Sequence, residues 1–121
     1  MAKNHDIQSQ LPVTPAMFHI LLALADGEKH GYAILKEVAQ RTGDKVRLSA
    51  GTLYGNLARL ESSGMIVESQ KRPEVRFDDE RRRYYRLTDF GREVAVAEAN
   101  RMDEALGQAR AKKLFRRPRL A

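Results

Sequence analysis

The chain has 121 residues, enough for one domain with a modest core. It has no cysteine, which excludes a disulfide framework, thiolate chemistry and a Cys-based zinc site. Lys and Arg number 22 against 16 Asp and Glu, a net charge of +6, which favours an acidic partner such as nucleic acid. The surplus is local, however. After Glu104 come Arg110, Lys112, Lys113, Arg116, Arg117 and Arg119 with no acid, so residues 1–104 are balanced and the basic tail alone is a weak argument for DNA.

The opening MAKNHDIQSQLP is polar, lacks a secretory apolar core, and reads as a flexible arm over residues 1–13. The longest apolar run, Ile20 to Ala25, is too short to span a bilayer, so a soluble cytoplasmic chain with no membrane partner is expected. A first helix starts at Thr14 as cap, with Pro15 at the first helical position, where a missing N–H matters least. Met17, Ile20, Leu21 and Leu24 form one apolar stripe, and Phe18, Leu22 and Ala25 form a second. A helix apolar on two faces needs two surfaces to bury against, and in a domain this small one of them is a candidate subunit contact. ADGEKHG then turns the chain, with Gly27 near the C-cap.

The second helix spans GYAILKEVAQRTG, with Ile34, Leu35 and Val38 inward and Gly43 ending it. DKVRLS is a short extended link to SAGTLYGNLARLESSGMI. Ser49 caps that third helix, and Leu48 with Leu53 makes a hydrophobic staple at its entry. Leu53, Leu57 and Leu60 share one face, at 100° per residue. The opposite face carries Gly51, Gly55, Ala58 and Ser62, flanked by Thr52 and Arg59, and is almost bare. Each glycine costs about 1 kcal/mol relative to Ala inside a helix, so the bareness needs a reason. Close approach to DNA is one, with hydroxyls, the amide of Asn56 and Arg59 at the edges. Packing against a neighbouring helix is the other. The elements that follow favour DNA.

MIVESQ alternates like a strand, a charged stretch runs from Lys71 to Glu80, and RRRYYRL is a second strand-like run. Three helices followed by such a hairpin make a winged helix-turn-helix. Tyr84 and Tyr85 point opposite ways, and one of them belongs to the core. Arg81, Arg82 and Arg83 fit either a solvated charge run or a wing laid on phosphates. From about Thr88 one long helix follows, which to Phe115 would be roughly 40 Å long. Along it Ala95, Ala99, Met102, Leu106 and Ala109 form a seam of seven-residue period. The expected fold class is therefore mainly α with a small β-hairpin (α+β). Its parts are an arm (1–13), a winged helix-turn-helix (14–87), a dimerisation helix (88–115) and a basic tail (116–121).

HGYAILKEV, SAGTLYGNLARLESSGMI and RRRYYRLTDFGRE, in that order and spacing, resemble the PadR-like family of winged-helix transcriptional regulators. The resemblance covers about residues 14–110, and the single last helix is similar to the family's short subfamily. It implies a dimeric DNA-binding regulator, usually a repressor, with the last helix pairing subunits and, in some members, a small aromatic or hydrophobic effector between them. It places Ser49, Thr52 and Tyr54 toward DNA; Tyr54 read alone would equally pack beside Tyr32. The candidate recognition-helix residues are thus Ser49, Gly51, Thr52, Tyr54, Gly55, Asn56 and Arg59, and the candidate wing residues Lys71, Arg72, Arg76, Arg81, Arg82 and Arg83. The candidate dimer contacts are Phe18, Leu22, Ala95, Ala99, Met102, Leu106 and Ala109. The partners expected are a pseudo-palindromic duplex operator and a second copy of the chain.

No cofactor or metal is expected, since His5, His19 and His30 lie far apart without ligand-spaced companions. No nucleophile–base pair, phosphate-cradling loop or paired carboxylates suggest an enzyme. The alternative function is a winged-helix protein-interaction module whose DNA affinity is only the non-specific attraction of its tail.

Overall fold

The computed structural model describes residues 6–69 and 83–116. Thr14 accepts the N–H of Met17 (3.2 Å) and opens α1, Pro15–Leu24, whose Ile20, Leu21, Ala23 and Leu24 are buried. The second stripe behaves differently. Phe18 is partly buried on the core, while Leu22 and Ala25 are exposed.

The turn expected after α1 contains a two-residue strand, β1, Lys29–His30. It pairs antiparallel with β3, Tyr84–Leu87, placing Lys29 opposite Tyr85 and His30 opposite Tyr84. On the other side β3 pairs with β2, Ile66–Glu68. The sheet is therefore three-stranded, in the order β1-β3-β2, rather than a lone hairpin. Tyr85 is the buried tyrosine, and Tyr84 meets the His30 ring edge-on at 5.3 Å.

His30 also caps α2, Gly31–Arg41, its Nδ1 accepting the N–H of Ala33 (3.1 Å). At the far end the Thr42 hydroxyl donates to the Val38 carbonyl (2.8 Å) and accepts the N–H of Val46 (3.0 Å), tying the link to the helix. Ser49 accepts the N–H of Thr52 and starts α3, Ala50–Ser62. Gly64, in the left-handed region (φ +80°), lets the chain leave α3 directly for β2. The Leu53, Leu57 and Leu60 side chains of α3 are buried, as their spacing predicts.

Thr88 caps α4, Asp89–Ala111, by accepting the N–H of Gly91. Its own hydroxyl donates to the Gly64 carbonyl (2.6 Å) and its N–H to the Met65 carbonyl (3.0 Å). Gly91 lies directly on the Met65 backbone, where a Cβ would strike the carbonyl oxygen. The start of α4 is thus locked to the turn that ends α3. The helix stops short of the expected Phe115, because Lys113 adopts φ +63° and the N–H of Leu114 turns back to the Ala109 carbonyl.

The expectation of a flexible arm over 1–13 is corrected for the described part, residues 6–13. After a short 3-10 turn, Gln8–Gln10, Ile7 and Leu11 pack on the core and Val13 is buried. The Val13 N–H donates to Glu98 Oε1 (3.2 Å) on α4. Glu98 is fully buried and also holds Arg101 at 3.0 and 2.7 Å. Arg101 keeps the Glu98 carboxyl below the usual glutamate range, with the Val13 bond adding to the effect against the opposing pull of burial. Three scattered apolar residues and one backbone bond therefore fix a segment whose composition is polar. Among the described residues no helix is long and apolar enough to cross a membrane.

Candidate nucleic-acid interface

The bare face of α3 is open. Among the described residues nothing lies within 4 Å of where a Cβ would stand at Gly51 or Gly55. A shallow depression of about 280 Å³ is lined by Gly51, Thr52, Gly55, Asn56 and Arg59, five of the seven residues expected on this helix. Among the described residues, then, neither glycine of this face serves helix packing. Ala58, Arg59 and Ser62 continue the exposed face toward the C-terminus.

The polar groups at its edges are already oriented. Ser49 Oγ donates to Thr52 Oγ1 (3.0 Å) while accepting the Thr52 N–H (3.1 Å), so cap and neighbour form one hydroxyl pair at the helix entry. Asn56 Nδ2 donates to the Thr52 carbonyl (2.9 Å), which lays its amide along the helix. Such a hydrogen bond is easily exchanged for one to a base edge, since each is worth about 1 kcal/mol net. The exposed N-terminal amides of α3 and its dipole favour an anion at this end.

Tyr54, the remaining expected residue, stands apart. It is 37% exposed, and its ring edge lies against Gly31 at the start of α2 rather than over the depression. Sequence reading also missed Arg47. Val46 and Leu48 pack on the core, so Arg47 between them is turned out beside the cap of α3. The in-out-in alternation of this link was the available signal. On β3 Arg86 is exposed, and Arg83 just before the strand reaches Glu68 on β2 at 3.7 Å, a surface pair of little energetic weight. The other expected wing residues, Lys71, Arg72, Arg76, Arg81 and Arg82, lie outside the described residues, as does His5.

Elsewhere on the molecule, α1 and α4 form the walls of a groove of about 430 Å³. Phe18 and Met102, both expected at a subunit contact, line it together with His19. The His19 Nδ1 is buried with no hydrogen-bond partner among the described residues, and burial, then Arg41, keep the imidazole below its usual pKa. Ala109 is partly covered, and Leu22, Ala99 and Leu106 are exposed. Ala95 differs from its expected use as a seam residue open to a partner: it packs against the chain's own core. The first turns of α4 are still seated on the domain there.

Residues 20–97 match the model of the transcriptional regulator PadR-like family. The chain belongs to that family. Transcriptional regulator Rv3488 of Mycobacterium tuberculosis is 36% identical over 86 residues, covering 71% of this chain and 74% of that protein. An uncharacterized 37.1 kDa protein of transposon TN4556 from Streptomyces fradiae is 39% identical over 93 residues. That match takes in 77% of this PadR-like chain, which spans only 24% of the Streptomyces protein. Among solved structures, a PadR family transcription regulator from Clostridium difficile R20291 superposes with a TM-score of 0.67 at 25% identity. It covers 78% of this chain and 94% of its own. Bacillus subtilis PadR in complex with operator DNA gives a TM-score of 0.58 over 89% of this chain and 51% of that one. At 19% identity the latter shows a shared fold alone.

Proposed function

We propose that this PadR-like chain is a sequence-specific DNA-binding repressor that acts as a two-fold homodimer on a pseudo-palindromic operator. The observation that carries the reading is the open, side-chain-poor face of α3, rimmed by Ser49, Thr52, Asn56 and Arg59. Such a face lets the helix backbone sit deep in a major groove while short polar groups meet base edges. Arg47, Arg83 and Arg86, with Lys71, Arg72, Arg76, Arg81 and Arg82, supply phosphate contacts that set register without reading sequence. The last helices and α1 of two subunits pair, setting the recognition helices about one DNA turn, roughly 34 Å, apart. A small hydrophobic or aromatic effector would release the operator by changing the angle between those helices.

Electrophoretic mobility shift on the DNA upstream of the chain's own gene, against a scrambled duplex of equal composition, tests this. Tight, salt-sensitive and selective binding is expected. Equal binding to both duplexes would leave only the non-specific attraction of the basic tail, and the protein-interaction reading would take its place.

A further inference from the structure

Gly31 is the first residue of α2 and is buried, yet its backbone has no need of glycine, since its φ is not in the left-handed region. What demands glycine there is space. A Cβ at this position would stand 2.5 Å from Tyr54 Oη, 2.9 Å from Cζ and 3.1 Å from Cε1. The edge of the tyrosine ring therefore rests on the chain at the point where α2 begins. Tyr54 itself lies on α3, one residue before Gly55 and two after Thr52. With more than a third of its surface exposed, it is a spacer between the two helices rather than a core residue. Aromatic rings suit that task, having only two side-chain torsions and a fixed shape.

We infer that Tyr54 is a positioning residue for DNA recognition: braced on Gly31, its ring sets the tilt and roll of α3 against α2. This rests on the reading of α3 as the recognition helix. Hydrogen bonds to base edges tolerate only a few tenths of an ångström, whereas long basic side chains follow a phosphate through larger shifts. A displaced brace thus lowers selectivity before it lowers general affinity. Gly31→Ala brings that about with one methyl, because ordinary contact requires the ring to retreat by about 1 Å.

The test compares the wild type with Gly31→Ala, Tyr54→Leu, the double variant and Tyr54→Phe, using fluorescence polarisation on labelled upstream and scrambled duplexes at fixed salt. Gly31→Ala is expected to reduce the upstream-to-scrambled affinity ratio about tenfold with less than about a twofold change on the scrambled duplex. In the Tyr54→Leu background, where the crowding atoms are gone, Gly31→Ala should change the ratio by less than about twofold. Tyr54→Phe keeps the ring and should keep the ratio within about twofold of the wild type.

Equal losses from Gly31→Ala in both backgrounds would place the effect in Gly31 alone and overturn the proposal. So would an unchanged ratio in Gly31→Ala, or a tenfold loss in Tyr54→Phe, which would place the effect in the phenol hydroxyl rather than in the ring. Thermal midpoints of the same four cycle members give a second cycle without DNA, in which Gly31 and Tyr54 are expected to be coupled. Additive midpoints beside a selective wild type would overturn the brace alone. A wild type that binds both duplexes alike would overturn the recognition reading and, with it, the use assigned to the brace.

Discussion

A leucine at Gly55 would extend into open space and would be a better helix former than the glycine it replaces. Gly55→Leu is therefore expected to keep its far-UV circular dichroism while operator binding falls at least about tenfold, because the side chain would hold α3 away from the groove floor. Thr52→Ala, by contrast, should weaken the operator complex by only about 1 kcal/mol, the worth of one hydrogen bond. Helicity lost in step with binding in Gly55→Leu would make the glycine structural. Glu98 offers a second residue-level test. Its carboxyl titrates below the usual glutamate range when folded, so it stabilises the fold fully above its unfolded pKa, and that contribution disappears as the pH falls through the lower folded value. Glu98→Gln should melt a few degrees below the wild type at neutral pH, with the gap closing on acidification in a pH series of thermal melts. A gap unaffected by pH would mean that the charge on Glu98 contributes nothing. Single residues differ in how legible they were. Thr14 and Ser49 announce caps because hydroxyls at helix starts have one local task, to accept a backbone N–H. His30 in the same task, and Gly31 beneath Tyr54, gave no such notice, since their reasons lie in partners folded against them.

Elements with a strong local pattern could be read directly, and α3 is the clearest case. Its cap, leucine spacing and closing Gly64 all agree with Ala50–Ser62. β1 had no such pattern: two residues long, it is a strand only because Tyr84 and Tyr85 arrive beside it from more than fifty positions away. The segment before α1 misled for a related reason. Ile7, Leu11 and Val13 are too sparse to form a period, and the Glu98 carboxylate that receives Val13 is 85 residues distant. The bare face of α3 was likewise visible in the sequence, but whether a neighbouring helix covered it was not; that depended on the path of every other element. For the hairpin, Arg81→Ala with Arg82→Ala should weaken binding to upstream and scrambled duplexes about equally. The salt dependence should lose about one unit of slope per phosphate contact removed. An unaltered slope would mark the pair as solvated surface.

For the molecule as a whole, the exposed apolar residues include a group in the second half of α4 and just past it. Leu106, Leu114 and Phe115 are 44%, 72% and 48% exposed, and the groove between α1 and α4 lies nearby in the chain's order at Met102. A dimer is expected in sedimentation velocity at micromolar protein, and Met102→Asp with Leu106→Asp should convert it to monomer. A monomeric wild type, or a double variant that stays dimeric, would sink the proposed interface. The lock between Thr88, Gly91 and the Gly64–Met65 turn has a mechanical consequence for such a pair. Backbone rests on backbone at Gly91, and the Thr88 hydroxyl and N–H bind the same turn, so the start of α4 is tied to the end of α3. At 23 residues α4 is a lever about 34 Å long. A tilt of about 5° at its far end would carry α3, the proposed recognition helix, roughly 3 Å, close to the rise of one base pair. In the proposed dimer, a repacking of a few side chains at the subunit contact would thereby be geared up to a full step along the duplex, enough to take both copies of α3 out of register at once.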